Sequence, residues 1–196
     1  MRFANQSLRY HTTLRLIRPV QSRCSRGFSL IELLIVVTII GIIVAIAVPN
    51  LQASRRAANQ ASAVSTLRTY HTAEMTFRNG QGFLADFVQL KTHSGDAIDG
   101  VLGAYPNAVT KSGYSFNIGP GILPDNLDPS LADSVTSGGL TVYNGFYIQA
   151  DPIQLDGIAS TGRNGYYIDL SGVVRVKFGA AGADVTSPSL SAQSGS

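Results

Sequence analysis

Arg26 to Asn50 reads RGFSLIELLIVVTIIGIIVAIAVPN, and within it Leu30 to Val48 is a 19-residue run with 16 apolar side chains, broken only by Glu32, Thr38 and Gly41. At 1.5 Å per residue this run covers about 29 Å, the hydrocarbon thickness of a bilayer. Eleven of the 19 are Ile or Val, which in water would weigh against a helix. In lipid the balance reverses, because a lone segment can satisfy its backbone hydrogen bonds only as a helix. A buried strand of this length is outside the usual range. The run is therefore read as a membrane helix. Glu32 is the residue this reading leaves over. A carboxylate near the end of an apolar span is costly to bury, so it either complements its own helix N-terminus, for about 0.3–1 kcal/mol, or serves a partner.

Upstream, residues 1–27 hold six arginines (Arg2, Arg9, Arg15, Arg18, Arg23, Arg26), no acid and the chain's one cysteine, Cys24. The remainder of the 196-residue chain carries nine basic against twelve acidic groups, a net −3, although the whole has a formal charge of +3. The basic balance thus belongs to the leader, and nucleic acid is not an expected partner. Charged residues make up only 14% of the chain and hydrophobic ones 44%, which excludes a disordered, charge-rich protein. With three scattered histidines (His11, His71, His93) and no cysteine beyond Cys24, a zinc or thiol site has almost nothing to draw on. A secretory signal explains the basic start but not the length of the apolar run, nor Ala45-Ile46-Ala47 running on into Val48 and Pro49. A signal anchor with its arginines on the cytoplasmic side fits better, yet leaves Glu32 unexplained.

The segment Arg26-Gly27-Phe28-Ser29-Leu30-Ile31-Glu32, followed by uninterrupted aliphatics, Gly41 and Pro49-Asn50, resembles the processing site of type IV prepilins and the related pseudopilins. The strong likeness covers roughly residues 26–55. It implies that a membrane-embedded prepilin peptidase cuts between Gly27 and Phe28, that Phe28 is then N-methylated, and that the fifth residue after the cut, Glu32, takes part in subunit assembly. The implied leader of 27 residues is longer than many in the family, and no second Met precedes the cut. A cut before the apolar run leaves that run in place as an anchor, with a free ammonium at Phe28 one helical turn from the Glu32 carboxylate. Between neighbouring subunits such a pair would fix axial register more than add net stability, since desolvation offsets most of the Coulomb gain. For Gly41–Pro49 two readings stand side by side: unwinding in an assembled filament, which the resemblance implies, or a kink where the helix leaves the membrane.

The helix is expected to continue to Asn79, giving a segment over 28–79 of about 78 Å whose part 29–49 is the transmembrane or filament-core half. Ala57, Ala61, Val64, Leu67, Tyr70, Ala73 and Phe77 recur at spacings of three and four as its amphipathic stripe. Arg55-Arg56 would meet lipid headgroups, acidic neighbours or solvent. Residues 80–186 are expected to form the head, with a short helix at Phe83–Lys91 and strands at Gly113–Ile118, Thr141–Gln149, Gly165–Leu170 and Val173–Phe178. Ser171-Gly172 would make a short hairpin turn, Gly119–Pro129 and Ser134–Gly139 loops, and 187–196 a disordered tail. In the last strand Val174, Val176 and Phe178 would face the helix, and Val173, Arg175 and Lys177 solvent. The fold class that follows is α+β: a long N-terminal helix packed on a small antiparallel sheet.

No catalytic constellation rises above chance, so an enzyme is not expected, nor a cofactor. Asp125, Asp128 and Asp133 miss the EF-hand spacing, and His93 near Asp96 and Asp99 is read as a loop cluster. Tyr166 and Tyr167 with Arg175 and Lys177 are a weak nucleic-acid pattern. Lys111-Ser112-Gly113-Tyr114-Ser115-Phe116 and Gly165-Tyr166-Tyr167-Ile168-Asp169 are similar to stretches of pilin-like heads. Two departures stand out: a C-terminal disulfide, common in pilins, cannot form, and the Trp-containing, calcium-binding C-terminal stretch usual in the major pseudopilin of type II secretion is missing. The favoured reading is a type IV pilus subunit. The resemblance implies as partners copies of itself and other pilins, the prepilin peptidase/N-methyltransferase, an inner-membrane assembly platform and, before assembly, the lipid bilayer; the chain would pass from the inner membrane, head in the periplasm, to a surface pilus. A secretion pseudopilin and a membrane-anchored periplasmic binding module are the alternatives.

Overall fold

A computed structural model describes residues 27–78, 82–93, 98, 100, 103, 108–121, 134–137 and 140–193. The chain divides between Ile42 and Ile43 into two units, both threaded by the 48-residue helix α1 (Leu30–Phe77). In the first unit the helix is bare, and every described residue is exposed. The second unit has a core, with Ala63, Thr66, Leu67, Tyr70, Ala73 and Glu74 as the buried face of α1.

Against that face lies an antiparallel five-stranded sheet in the order β1 (Ala108–Lys111), β2 (Tyr114–Pro120), β5 (Phe146–Pro152), β6 (Gly165–Asp169), β7 (Arg175–Lys177). A separate ribbon pairs β3 (Ser134–Ser137) with β4 (Leu140–Tyr143). The α+β class is as the sequence indicates. β1 and β2 are joined by Ser112-Gly113, both at positive φ (50° and 75°), the geometry a two-residue hairpin loop needs to match strand twist. In β2 and β5 the apolar side chains alternate: Phe116, Ile118, Phe146, Ile148 and Ala150 are buried, and the residues between them are mostly half-buried. Tyr70 from α1 stacks on Phe87 at 4.5 Å and lies 6.1 Å from Phe116, so one aromatic ring ties helix, connection and sheet together.

Several expectations are corrected. The stripe on α1 begins at Ala63, while Ala57 and Ala61 are exposed. Each step of three residues falls about 60° short of a full turn, so three such steps from Ala61 to Tyr70 bring the stripe to the opposite side of the helix. The short helix α2 is Phe87–His93, starting four residues later than expected. Asp86 caps it, its Oδ1 accepting from the amides of Val88 (2.7 Å) and Gln89 (3.1 Å). Phe83 instead exchanges two 2.8 Å backbone hydrogen bonds with Tyr143.

Thr141–Gln149 is not one strand. It is split at Asn144-Gly145 between β4 and β5, which lie in different sheets, and Ser134–Ser137, expected as loop, is strand β3. In the last strand Val174 and Val176 are buried as expected, whereas Phe178 is exposed, because regular pairing stops at Lys177. The tail is ordered through residue 193. Val176 N donates to Pro188 O at 2.9 Å, Leu190 N to Val174 O at 2.8 Å, Arg175 Nη1 to Ser187 O at 3.2 Å, and Leu190 opens a 3₁₀ turn against the core. Asp184 starts this segment, its Oδ1 gathering the amides of Thr186 and Ser187. The Thr186 hydroxyl, which also donates to Oδ1, and then these amides hold the pKa of the carboxyl below its ordinary value.

Candidate assembly segment

α1 begins where the apolar run begins. The Ser29 carbonyl accepts from the amides of Glu32 and Leu33, each at 3.1 Å, and the Glu32 carboxylate sits in the first turn, where the positive end of the helix dipole favours it. Gly27 and Phe28 lie just before the first turn and are exposed, Phe28 at 71%. Gly27, Phe28 and Glu32 thus lie close together along the chain at the start of the helix.

The large apolar residues from Leu30 to Leu51 are all exposed. Such a surface far exceeds what a soluble monomer leaves to water, and a lone apolar helix is marginal in water. It is also the one helix among the described residues that is long and apolar enough to cross a membrane. The polar interruptions are accommodated locally: Thr38 Oγ1 donates to Leu34 O at 2.8 Å, and Ser54 Oγ to Asn50 O at 3.0 Å. A Cβ on Gly41 would meet nothing within 4 Å, so no contact inside the chain requires a glycine there. Pro49 has no N–H to offer the Ala45 carbonyl, yet the helix runs on through it.

Among the described residues, the other sequence candidates do not come together as a site. Asp96, Asp99, Asp125, Asp128 and Asp133 lie outside the described residues, and so does the leader except Gly27. Among the described residues no three His, Cys, Asp or Glu are placed to hold a metal ion. His93 is used in packing, with Nδ1 2.8 Å from Gln89 O and its ring edge-on to Phe77 at 5.9 Å. The nucleic-acid pattern dissolves: Tyr166 and Tyr167 are buried, Arg175 clasps the tail, and Lys177 Nζ donates to Gly182 O at 3.3 Å.

Sequence reasoning missed Glu74. It sits on the buried face of α1 at 0% exposure, its Oε2 accepting from Leu84 N at 3.0 Å, while Oε1 has no hydrogen-bond partner among the described residues. Burial raises its pKa from 4.5 to about 8, opposed in part by the Leu84 bond, so it is a neutral acid at pH 7. The residue fixes the connection that follows α1 to the helix. Its signal in the sequence was only its place four residues after Tyr70 on the core face.

Two comparisons bear on what this segment is. Residues 22–48 match the family model described as the prokaryotic N-terminal methylation motif. Over 63 residues the chain is 43% identical to the type IV major pilin protein PilA of Myxococcus xanthus strain DK1622, a match that covers 32% of this chain and 29% of that protein. No solved structure matches the chain. Both similarities support the resemblance to the type IV pilin family, a family of structural subunits, and with the bare apolar helix they support membrane anchoring.

Proposed function

We propose that this chain is a prepilin that polymerises through its N-terminal helix into a type IV pilus. The observation that carries the reading is the continuous exposed apolar helix from Leu30 to Leu51, opening directly after Arg26-Gly27-Phe28 and bearing Glu32 in its first turn. A prepilin peptidase cuts between Gly27 and Phe28 on the cytoplasmic face, and Phe28 is N-methylated. The anchored subunit waits in the inner membrane with its head in the periplasm. On extraction by an assembly platform, its helix exchanges lipid for the helices of other copies.

The Phe28 ammonium and Glu32 of neighbouring subunits then set the axial register, since a misaligned copy leaves a charge unpaired in an apolar core. Gly41, which no contact within the chain needs, and Pro49, which supplies no amide, mark the stretch where the helix can unwind on packing. The similarity to a type IV major pilin supports a pilus over a secretion pseudopilus. Mass spectrometry of the mature chain tests the reading. A first residue of N-methylated Phe28, in surface filaments whose main band is this protein, is expected. A mature chain that keeps residues 1–27 would overturn it.

A further inference from the structure

The second unit carries a protrusion and a recess that complement each other. The protrusion is the loop 153–161 between β5 and β6. It exposes Ile153 (59%) and Ile158 (82%) on either side of Asp156, and it is braced from within. Thr161 N donates to Gln154 O at 2.8 Å, Ser160 Oγ to Leu155 O at 2.9 Å, Ile153 N to Gly113 O at 3.0 Å, and Asn59 Nδ2 from α1 to Thr161 O at 2.9 Å. Two branched aliphatic side chains held out by so many bonds are a preformed apolar knob, not a loose loop.

The recess is a groove between α1 and the tail. Two adjoining cavities share Arg68 and Leu190, one floored by Ala61, Val64 and Tyr166, the other by His71, Val174 and Gly172. Its described lining mixes the apolar side chains of Ala61, Val64, Val174 and Leu190 with uncharged polar groups, and Arg68 is its one full charge. Knob and groove lie on opposite flanks of α1. The knob side is marked by Ser62, bonded to Ser112 beside Gly113, and the groove side by Val64, about 200° further round the helix. A chain therefore does not fill its own groove with its own knob.

We infer that the groove takes the 153–161 knob of a second copy of this chain, with Ile158 over Ala61 and Val64 and Asp156 against Arg68. The apolar knob meets an apolar floor, and the single acid of the loop meets the single full charge of the groove. Because different surfaces of the two copies meet, the contact is heterologous, and repeating it generates an open array instead of a closed dimer. The inference rests on the filament reading above and adds a second contact, between heads, to the one between helices.

Cysteine cross-linking in the full-length chain tests it. In a Cys24→Ser background, Ile158→Cys combined with Ala61→Cys is oxidised in membranes and filaments, next to each single variant. A ladder of multimers from the pair, absent from either single variant, is expected. Adding Arg68→Glu should weaken the ladder by about tenfold through like-charge contact with Asp156, and further adding Asp156→Arg should restore it. Filaments without a ladder, a pair that stops at dimers, adducts to some other protein, or a ladder indifferent to Arg68→Glu would overturn the contact and leave the filament reading intact. A ladder in membranes that never yield filaments would support the contact and sink the filament reading.

Discussion

Two acids, 42 residues apart in one helix, carry opposite problems. Glu32 is exposed on a segment whose surroundings come from other molecules, whereas Glu74 is enclosed by its own chain. For Glu74 the pH dependence follows from linkage. The unfolded chain releases the proton near 4.5 and the folded chain near 8, so the folded state binds more protons between those values. The contribution of Glu74 to stability is full below pH 4.5 and is lost as pH rises through 8, by up to about 1.4 kcal/mol per pH unit in that window. Glu74→Gln keeps an acceptor for Leu84 N and cannot ionise. Thermal melts from pH 5 to 9 are expected to show a falling midpoint in the wild type and a nearly flat one in the variant. Glu32→Ala should do the reverse, leaving the melt of the head unchanged while abolishing filaments, as electron microscopy of sheared surface material would show.

At the scale of elements, the apolar run and its start were legible because both follow from local rules: an almost unbroken run of aliphatics, a first-turn acid and a length matched to a bilayer. The sheet class was legible because Tyr, Phe and Ile recur at alternate positions of β2 and β5. What misled was information that is not local. Thr141 to Gln149 carries one local break, the turn pair Asn144-Gly145, but the sheet each half joins is set by the pairing of Tyr143 with Phe83 and of Phe146 with Pro120. The Ser-rich tail has a disordered composition, yet its order comes from donors on β7 and the Val174 carbonyl just before it, which no local pattern announces. Two substitutions weigh these contacts. Leu67→Ala, at 0% exposure, should cost about 2–5 kcal/mol in a denaturant titration. Truncation after Asp184 should remove protection from the Val176 amide in hydrogen exchange, since Pro188 O is its acceptor.

For the whole molecule, the roles proposed for Gly27, Phe28 and Glu32 rest on spacing along the chain, which the sequence alone carries. The groove and the knob were not legible there, since each is made by residues that only the fold assembles: Ala61 with Leu190, and Ile158 held by Asn59 through Thr161. Gly41→Ala separates the two levels. With open space around Gly41, the variant should match the wild type in monomer stability and membrane insertion, so any change in filament yield or extensibility, read by force spectroscopy on single filaments, belongs to contacts between copies.

The tail supplies one more consequence. Its clasp on β7 is built from amides, carbonyls and one guanidinium, and a chain whose lone thiol is Cys24 can close no covalent loop within itself. The head therefore reaches its final form without waiting on an oxidant, and dithiothreitol should leave its melting midpoint where it was. On the proposed reading, maturation waits on a peptidase at one end, while the other end fastens on its own.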